Sequence, residues 1–473
     1  MMKQRLAVIG SGGGGLGAAL LAQASGVETD LYEAHRYPGG CASWFQRGPF
    51  VFDVGATTLS GIGANRPLSQ WAQTTGAPLK VFDADPGIVF HLPQAKLYRY
   101  RDLSAWLREL ERVFPHQPHE KIWRKLHELS EQSWKFLPAL QGFPPRRWSD
   151  LWHIFSWLKG VKLTPYLMFS LETFFQLHSQ NTPEFKRFID ALCMISAQNK
   201  ASQVPALIGA LAMTYPAETY APKGGMKGLF SGWLEHFQSL GGHWKPNQRV
   251  TTLTPSIGSW EIGLNSELSR ESYQHVVSNM TGWSLSELLC ERATLPTKAW
   301  SAFTIYAGVK AAASIKELYH LVLPQSSLGV PDYFCSFSHP EDSSRAPEGW
   351  QTVTISIHTT EDEWDLSGEA YAEKKEQYKN LIWQHFKQTF PQISAEKFLT
   401  AGTPKTFYHY TLRPGGRVGG LPHRWSYPLW LWPSQFKRDG LSQLGDTVFP
   451  GQGLVATITG SMQWWRGKRA KLF

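Results

Sequence analysis

The chain opens with a wholly apolar run followed by a stretch that carries almost no side chains. Leu6-Ala7-Val8-Ile9 holds no polar residue, as a strand buried on both faces requires, and it runs into Gly10-Ser11-Gly12-Gly13-Gly14-Gly15. A helix-like stretch from Leu16 to Gln23 follows, and a second short strand, Glu28 to Tyr32, ends at Glu33. Further on, Ser104 is placed to cap a helix from Ala105 to Phe114 that Pro115 ends. Ile122, Leu126 and Leu129 recur at helical spacing within 121–136. The second half brings strand-like runs at 302–306 and 352–356 and a helix around 370–390. These elements predict an α/β fold that begins with a Rossmann-type βαβ unit. At 473 residues the chain exceeds the usual size of a single core, so two domains are expected.

The glycines have a chemical reading because of where they stand. Gly10 permits a tight turn after the strand, Gly12 lets backbone approach a pyrophosphate, and Gly15 lets helix and strand pack closely. Phosphates then sit on the free N–H groups and positive dipole end of the helix. Glu33, 23 positions after Gly10, is placed to accept both ribose hydroxyls, where a 2′-phosphate would be repelled. This much indicates a dinucleotide and leaves NAD and FAD both open.

Three further stretches bear on that choice. They are Gly39-Gly40-Cys41-Ala42-Ser43, then Phe52-Asp53-Val54-Gly55-Ala56-Thr57, and, near the C-terminus, Gly445-Asp446-Thr447 running to Gly453. Together with the first glycines they resemble the two-domain flavoproteins that include the amine oxidases and, more closely, the phytoene desaturases and carotenoid isomerases. Tyr220 to Met226, Arg249-Val250, Val276 to Asn279, Thr403 to Thr406 and Arg413 to Gly420 match the same pattern in order. Cys41 departs from the amine-oxidase pattern, which carries arginine there, and is similar to the isomerase-like branch.

The resemblance implies FAD as the cofactor. Gly12 then lies along its pyrophosphate with Gly39 and Gly40, in the loop that Gly10 and Gly15 shape, and Glu33 holds its ribose. Val250 holds the adenine side, and Gly445 and Asp446 the ribityl and phosphate groups, with Asp446 opening a helix beneath the flavin. It also implies a discontinuous FAD-binding domain from 1–70, 217–292 and 430–473. A mixed α+β substrate domain from 71–216 and 293–429 would cover a cavity against the flavin. The implied activity is that of an FAD-dependent oxidoreductase on a long apolar isoprenoid polyene. It would act by hydride transfer to flavin, with quinone or oxygen as electron acceptor, or by cis–trans isomerisation with reduced flavin. The alternatives are a retinol-saturase-like reductase, a flavin amine oxidase of a smaller substrate, and a flavin-binding scaffold without turnover.

A bound flavin carries the redox chemistry itself, and the protein supplies position and electrostatics. Arg417 is a candidate for stabilising reduced flavin or steering a polar end group, and His409 is a candidate acid or base. Tyr408 and Tyr410 read as cavity wall, Lys223 as a surface salt bridge, and Cys41 as a small packing residue beside the cofactor. No metal-ligand spacing is visible, and the four cysteines lack C-x-x-C spacing, which argues for a reducing compartment.

Net charge is +9 and sequence pI about 9.2. No basic run interleaved with aromatics matches a nucleic-acid module, so no nucleic-acid partner is expected. The 21 tryptophans are concentrated in the expected substrate domain and at the C-terminus, and Phe143, Trp148, Trp152, Phe155 and Trp157 stand among Arg146, Arg147, Lys159 and Lys162. No run reaches the about 20 apolar residues of a membrane span. Aromatics edged by basic residues instead suit an interfacial helix, or else the lining of an elongated pocket. The tail from Trp464 to Lys471 is a second candidate for anionic lipid. A first strand beginning at Leu6 leaves no room for a signal peptide, so the expected location is cytoplasmic and peripheral on the membrane. Segment 338–350 reads as a mobile loop.

Overall fold

The computed structural model describes residues 5–140, 143–144, 161–178, 182–264, 270–292 and 299–472. Its first sheet is built around β1 (Arg5–Ile9). β2 (Glu28–Tyr32) pairs parallel to β1 on one side, in register from Arg5 with Glu28 to Ile9 with Tyr32. His275–Ser278 pairs parallel on the other. Leu441–Gln443 extends the sheet beyond that strand and His243–Lys245 extends it beyond β2, so segments distant in sequence share one sheet. Leu6, Ala7 and Val8 have no exposed surface, in keeping with a strand covered on both faces.

Helix α1 (Gly13–Ala24) covers one face of this sheet and is itself covered by the final helix, Leu454–Leu472. The contact depends on missing side chains. A Cβ on Gly13 would lie 2.4 Å from a Leu454 methyl, and one on Gly17 would lie 2.6 Å from a methyl of Ile458. The Ser461 hydroxyl donates to the Gly14 carbonyl at 2.7 Å across the same seam. Trp464 and Trp465 follow on that helix and are buried in the core with Leu16, Leu20 and Trp71. The tail therefore does not offer its tryptophans to lipid, because their rings close the α1 core.

The second sheet has seven strands, in the order Ile393–Gly402, Ser301–Ala311, Gln351–Thr359, Tyr333–Phe337, Tyr319–Val322, Ile88–His91 and Lys96–Arg99. Pairing is antiparallel except where Tyr319–Val322 meets Ile88–His91. Helix Gly368–Thr389 packs on it through Ile382, Trp383 and Phe386. A helical layer that includes His119–Phe136, Pro183–Ala197 and Ala206–Thr214 shares a core with Ile88, Phe90 and Leu321.

Two local expectations change. Asp102, and not Ser104, caps its helix. Its carboxylate accepts from Ala105 N at 2.7 Å, the ordinary reach from cap to third residue, and the helix spans Leu103–Val113. Segment 338–350 is pinned, not loose. The Asp342 carboxylate accepts from Gly224 N at 2.7 Å, and Arg345 donates to Asp53 at 2.7 Å with both side chains buried. Asp53 also accepts from Met226 N at 2.8 Å, so one ion pair joins the Phe50–Asp53 strand, the start of helix Gly225–Ser239 and this loop. Of the aromatic stretch, Trp148, Trp152, Phe155 and Trp157 lie outside the described residues, as do Arg146, Arg147 and Lys159.

The core also holds neutral histidines. His91 Nε2 and His320 Nδ1 lie 3.1 Å apart against Phe390, and burial pushes these rings down to about 4 and about 3. The unfolded chain, with histidines near 6.5, binds protons that the folded chain refuses. Stability is therefore complete above pH about 6.5 and falls as pH drops toward about 4. Tm followed from pH 8 to 4 is expected to stay level and then decline within that window. A level Tm throughout would show that these histidines titrate normally.

Candidate functional site

A cavity of about 1450 Å³ runs from the glycine loop toward the second sheet. At its glycine end, β1 stops and Gly10 turns the chain at φ 90°, a conformation that favours glycine. Gly12 then caps α1 without a side chain, and no acidic residue stands in the first turn. The unshared N–H groups of that turn form a ready anion site. A Cβ on Gly15 would lie 1.9 Å from the Gly10 carbonyl, so Gly15 serves the close helix–strand packing and does not line the cavity. Gly39 N donates to Ser11 O at 3.1 Å, and Gly40 (φ 58°) lies against Gly12, which sets the second glycine pair along the first loop.

Glu33 stands at the end of β2 beside this loop. Its Oε2 accepts from Ser11 N at 2.9 Å and from the Ser11 hydroxyl at 2.6 Å, and its Oε1 accepts from His35 N at 2.9 Å. Val250 begins the strand Val250–Ser256 and faces the same cavity. Gly445 (φ 104°) meets the loop from the far end of the chain, where a Cβ on Gly14 would approach its nitrogen at 3.2 Å. Gly10, Gly12, Glu33, Gly39, Gly40, Val250, Gly445 and Asp446 thus line one cavity. Asp446 does not open a helix, since the next one begins only at Leu454.

Two residues with no role assigned from sequence stand at this place. Asn279, held by its N–H to Ile9 O at 2.8 Å, puts its amide between Gly12 and Gly14, and its Oδ1 is buried without a hydrogen-bond partner. A strand ending in a polar residue beside the glycine loop was the available signal. Arg413 ion-pairs with Asp446, donates to the carbonyls of Arg417 and Gly419, and lines the cavity. Burial works to lower the Arg413 pKa, but Asp446 and Cys41 outweigh it and raise it, so the guanidinium is charged. Burial raises the Cys41 thiol against the pull of Arg413, so Cys41 is a neutral thiol and not a nucleophilic thiolate.

The catalytic candidates fall elsewhere. Arg417 pairs with Glu361 at 3.6 Å beneath Trp283 and does not line the cavity. His409 is exposed, edge-on to Tyr410 at 4.8 Å, and is likewise off the cavity. Leu412 closes the Pro404–Thr411 helix in the left-handed region (φ 56°), and Arg413, which follows it, enters the cavity. Tyr408 is exposed and outside the lining, whereas Tyr410 touches the cavity edge. Lys223 lies over the Phe82 ring at 4.7 Å, a cation–π contact in place of a salt bridge. Beyond the glycine loop the cavity wall is largely apolar, with Leu137, Ile195, Ile208, Leu211, Phe334 and Leu429. His358 and His423 also face it, and burial pushes both down to about 4, so they are neutral.

The model for the NAD(P)-binding Rossmann-like domain matches residues 8–75. A prolycopene isomerase of Daucus carota is 28% identical over 95% of this chain and 77% of its own. A neurosporene-forming phytoene desaturase of Rhodobacter capsulatus is 23% identical over 96% of this chain and 92% of its own. Its homologues are prolycopene isomerases and phytoene desaturases. A putrescine oxidase structure superposes with a TM-score of 0.64 over 99% of this chain and 98% of its own at 12% identity, a likeness of fold. The Rossmann-like match and the likeness to this structure show a dinucleotide-binding α/β fold.

The glycine end fits a dinucleotide on its own geometry. It offers a helix N-terminus free of acid, glycines where a Cβ would collide, and the orphaned Asn279 amide. Glu33→Arg is expected to abolish tight FAD binding, because it replaces the carboxylate beside the glycine loop and breaks the tie to Ser11. Purification of this variant with a full complement of flavin would overturn the ribose assignment.

Proposed function

We propose that the protein is an FAD-dependent enzyme acting on a long isoprenoid polyene, with cis–trans isomerisation as its reaction. The observation that carries this reading is a single cavity that joins a dinucleotide cradle to a mainly apolar chamber. The prolycopene isomerases at 26–28% identity over 95% of the chain support isomerisation ahead of desaturation. Gly10, Gly12, Gly39 and Gly40 would hold the FAD pyrophosphate, with Gly15 letting the helix approach the strand, Glu33 the ribose, Val250 the adenine side, and Gly445 and Asp446 the ribityl chain. The flavin, when bound and reduced, supplies the electron donation that lowers double-bond order. The protein's part is to exclude water and to orient the polyene along the apolar wall. Arg413 keeps a fixed positive charge against Asp446 at the junction of cradle and chamber. Retinol-saturase-like and amine-oxidase readings are not favoured.

Anaerobic incubation of FAD-loaded protein with liposomes carrying poly-cis carotenoids tests this reading. A changed cis–trans ratio only after flavin reduction is the expected result. Flavin bleaching with a lengthened chromophore would assign desaturation, for which quinone or oxygen would be the acceptor.

Peripheral membrane contact belongs to the same reading. No helix among the described residues is long and apolar enough to cross a membrane. Trp425, Tyr427, Trp430 and Leu431 are exposed beside Arg424, on the loop whose Leu429 lines the cavity. Trp425 Nε1 donates to Ser202 O at 3.1 Å and Tyr427 OH to Leu431 O at 2.9 Å, which leaves their apolar faces outward. Such a rim suits a lipid interface that delivers a greasy substrate. Trp430→Ser with Leu431→Ser is expected to reduce co-sedimentation with anionic liposomes severalfold. Undiminished sedimentation would remove this loop from the interface.

A further inference from the structure

A largely buried cation reaches the cavity from a loop far in sequence from the first glycines. Arg413 follows the helix Pro404–Thr411, and its side chain is 13% exposed. The guanidinium ion-pairs with Asp446, donates to the carbonyls of Gly419 at 3.1 Å and Arg417 at 3.3 Å, and stands beside the Cys41 thiol. Arg413, Cys41, Gly419 and Asp446 all line the cavity. Backbone contact fixes this meeting. A Cβ on Gly420 would lie 1.8 Å from the Asp446 carbonyl, so the chain after Arg413 returns onto the Gly445-Asp446 segment. Cys41 comes to the same place from the other side, because it directly follows Gly40, which lies against Gly12. The position where the amine-oxidase pattern carries arginine thus holds a cysteine with the guanidinium of Arg413 beside it.

Other cations of the cavity lining are placed to act more weakly. Arg36, Arg47 and Arg249 are exposed, and Lys227 is half-buried and donates to Gln46 at 3.2 Å. Water and salt screen charges so placed, whereas a buried charge is felt several times more strongly. His358 and His423 face the chamber as neutral rings. The charge of Arg413 matters because of what reduction does to a flavin. The ring gains two electrons and at least one proton, and its singly protonated form is an anion. In a mainly apolar chamber an anion is costly unless a fixed positive group faces it. Asp446 does not alter the sign of this effect. Loss of the guanidinium makes the site more negative and leaves the Asp446 carboxylate uncompensated, and both disfavour a reduced flavin.

We propose that Arg413 takes the place of an arginine at position 41 and is the fixed cation that favours the reduced state of the bound flavin. The assignment rests on the FAD reading and adds to it a residue for the redox state that isomerisation requires. Arg413 is held on the Gly445-Asp446 segment, which that reading gives to the ribityl chain, so its charge acts on the redox-active half of the cofactor. It works by charge and position and takes no part in bond making.

The test is an anaerobic redox titration of the full-length, FAD-loaded protein, read by flavin absorbance against a dye of known potential. The wild-type protein is expected to hold reduced flavin at least tenfold tighter than oxidised flavin, which sets its midpoint at least about 30 mV above that of free FAD. Arg413→Gln is expected to remove this preference and Arg413→Lys to keep it. Cys41→Arg in the Arg413→Gln background is expected to restore it. A merely structural arginine would change flavin content and leave the midpoint of the bound fraction unmoved. A wild-type midpoint at or below that of free FAD overturns the assignment, even where Arg413→Gln does not fold. An unmoved midpoint in Arg413→Gln, a midpoint in Arg413→Lys as low as in Arg413→Gln, or no restoration by Cys41→Arg overturns it and leaves the FAD reading intact. Wild-type protein that takes up no FAD overturns the reading and the assignment together.

Discussion

Backbone close approach at the glycine loop is the constraint on which the rest of the structure depends. Gly15 lies so near the Gly10 carbonyl that no side chain fits, and Gly13 and Gly17 admit the last helix of the chain against α1. Two consequences follow from the same absence of side chains. The N–H groups at the start of α1 are left open to a ligand, and the Gly445-Asp446 segment that precedes the last helix is brought to the loop. Asn279, at the end of the strand beside β1, fills the remaining gap between Gly12, Gly14 and Gly445. Three segments distant in sequence therefore meet at one point because their backbones touch, and a methyl group at any of several positions would separate them.

From that point the chamber extends under the second sheet, and a different interaction fixes its relation to the cradle. The Asp53–Arg345 ion pair is buried, and replacing one partner would leave an uncompensated charge in the interior. Arg345 also donates to Val51 O at 2.9 Å and to the Thr352 hydroxyl at 3.1 Å, which ties the second sheet to the strand that follows the glycine pair. Tyr306 adds a parallel tie, its hydroxyl donating to Val54 O at 2.7 Å. Charge and hydrogen bonding thus hold the chamber on the cradle, together with apolar packing of Phe50 and Phe52 against Tyr306.

The first βαβ unit was legible because every level of the signal agreed: an apolar run, a glycine turn, a helix, and an acid at the end of β2. The late Gly445 segment was legible through family resemblance, although the helix expected at Asp446 begins only at Leu454. Arg413 and Arg417 show what sequence could not decide. Both are arginines of one loop, and only Arg413 enters the cavity. His409 lies on the solvent side of the short helix Pro404–Thr411, and no period in so short a stretch reveals which side that is. Trp464 and Trp465 looked like an interfacial tail because their partners, Leu16 and Trp71, lie at the opposite end of the sequence.

The central claim is that the glycine loop, Glu33, Val250 and Gly445 together form a cradle for an adenine dinucleotide flavin. Calorimetric titration of flavin-free protein with FAD and with FMN tests it most directly, because FMN lacks the adenosine half that Glu33 and Val250 are placed to hold. Binding of FAD at least a hundredfold tighter than FMN is the expected result. Equal affinity for the two would contradict the assignment of the cradle.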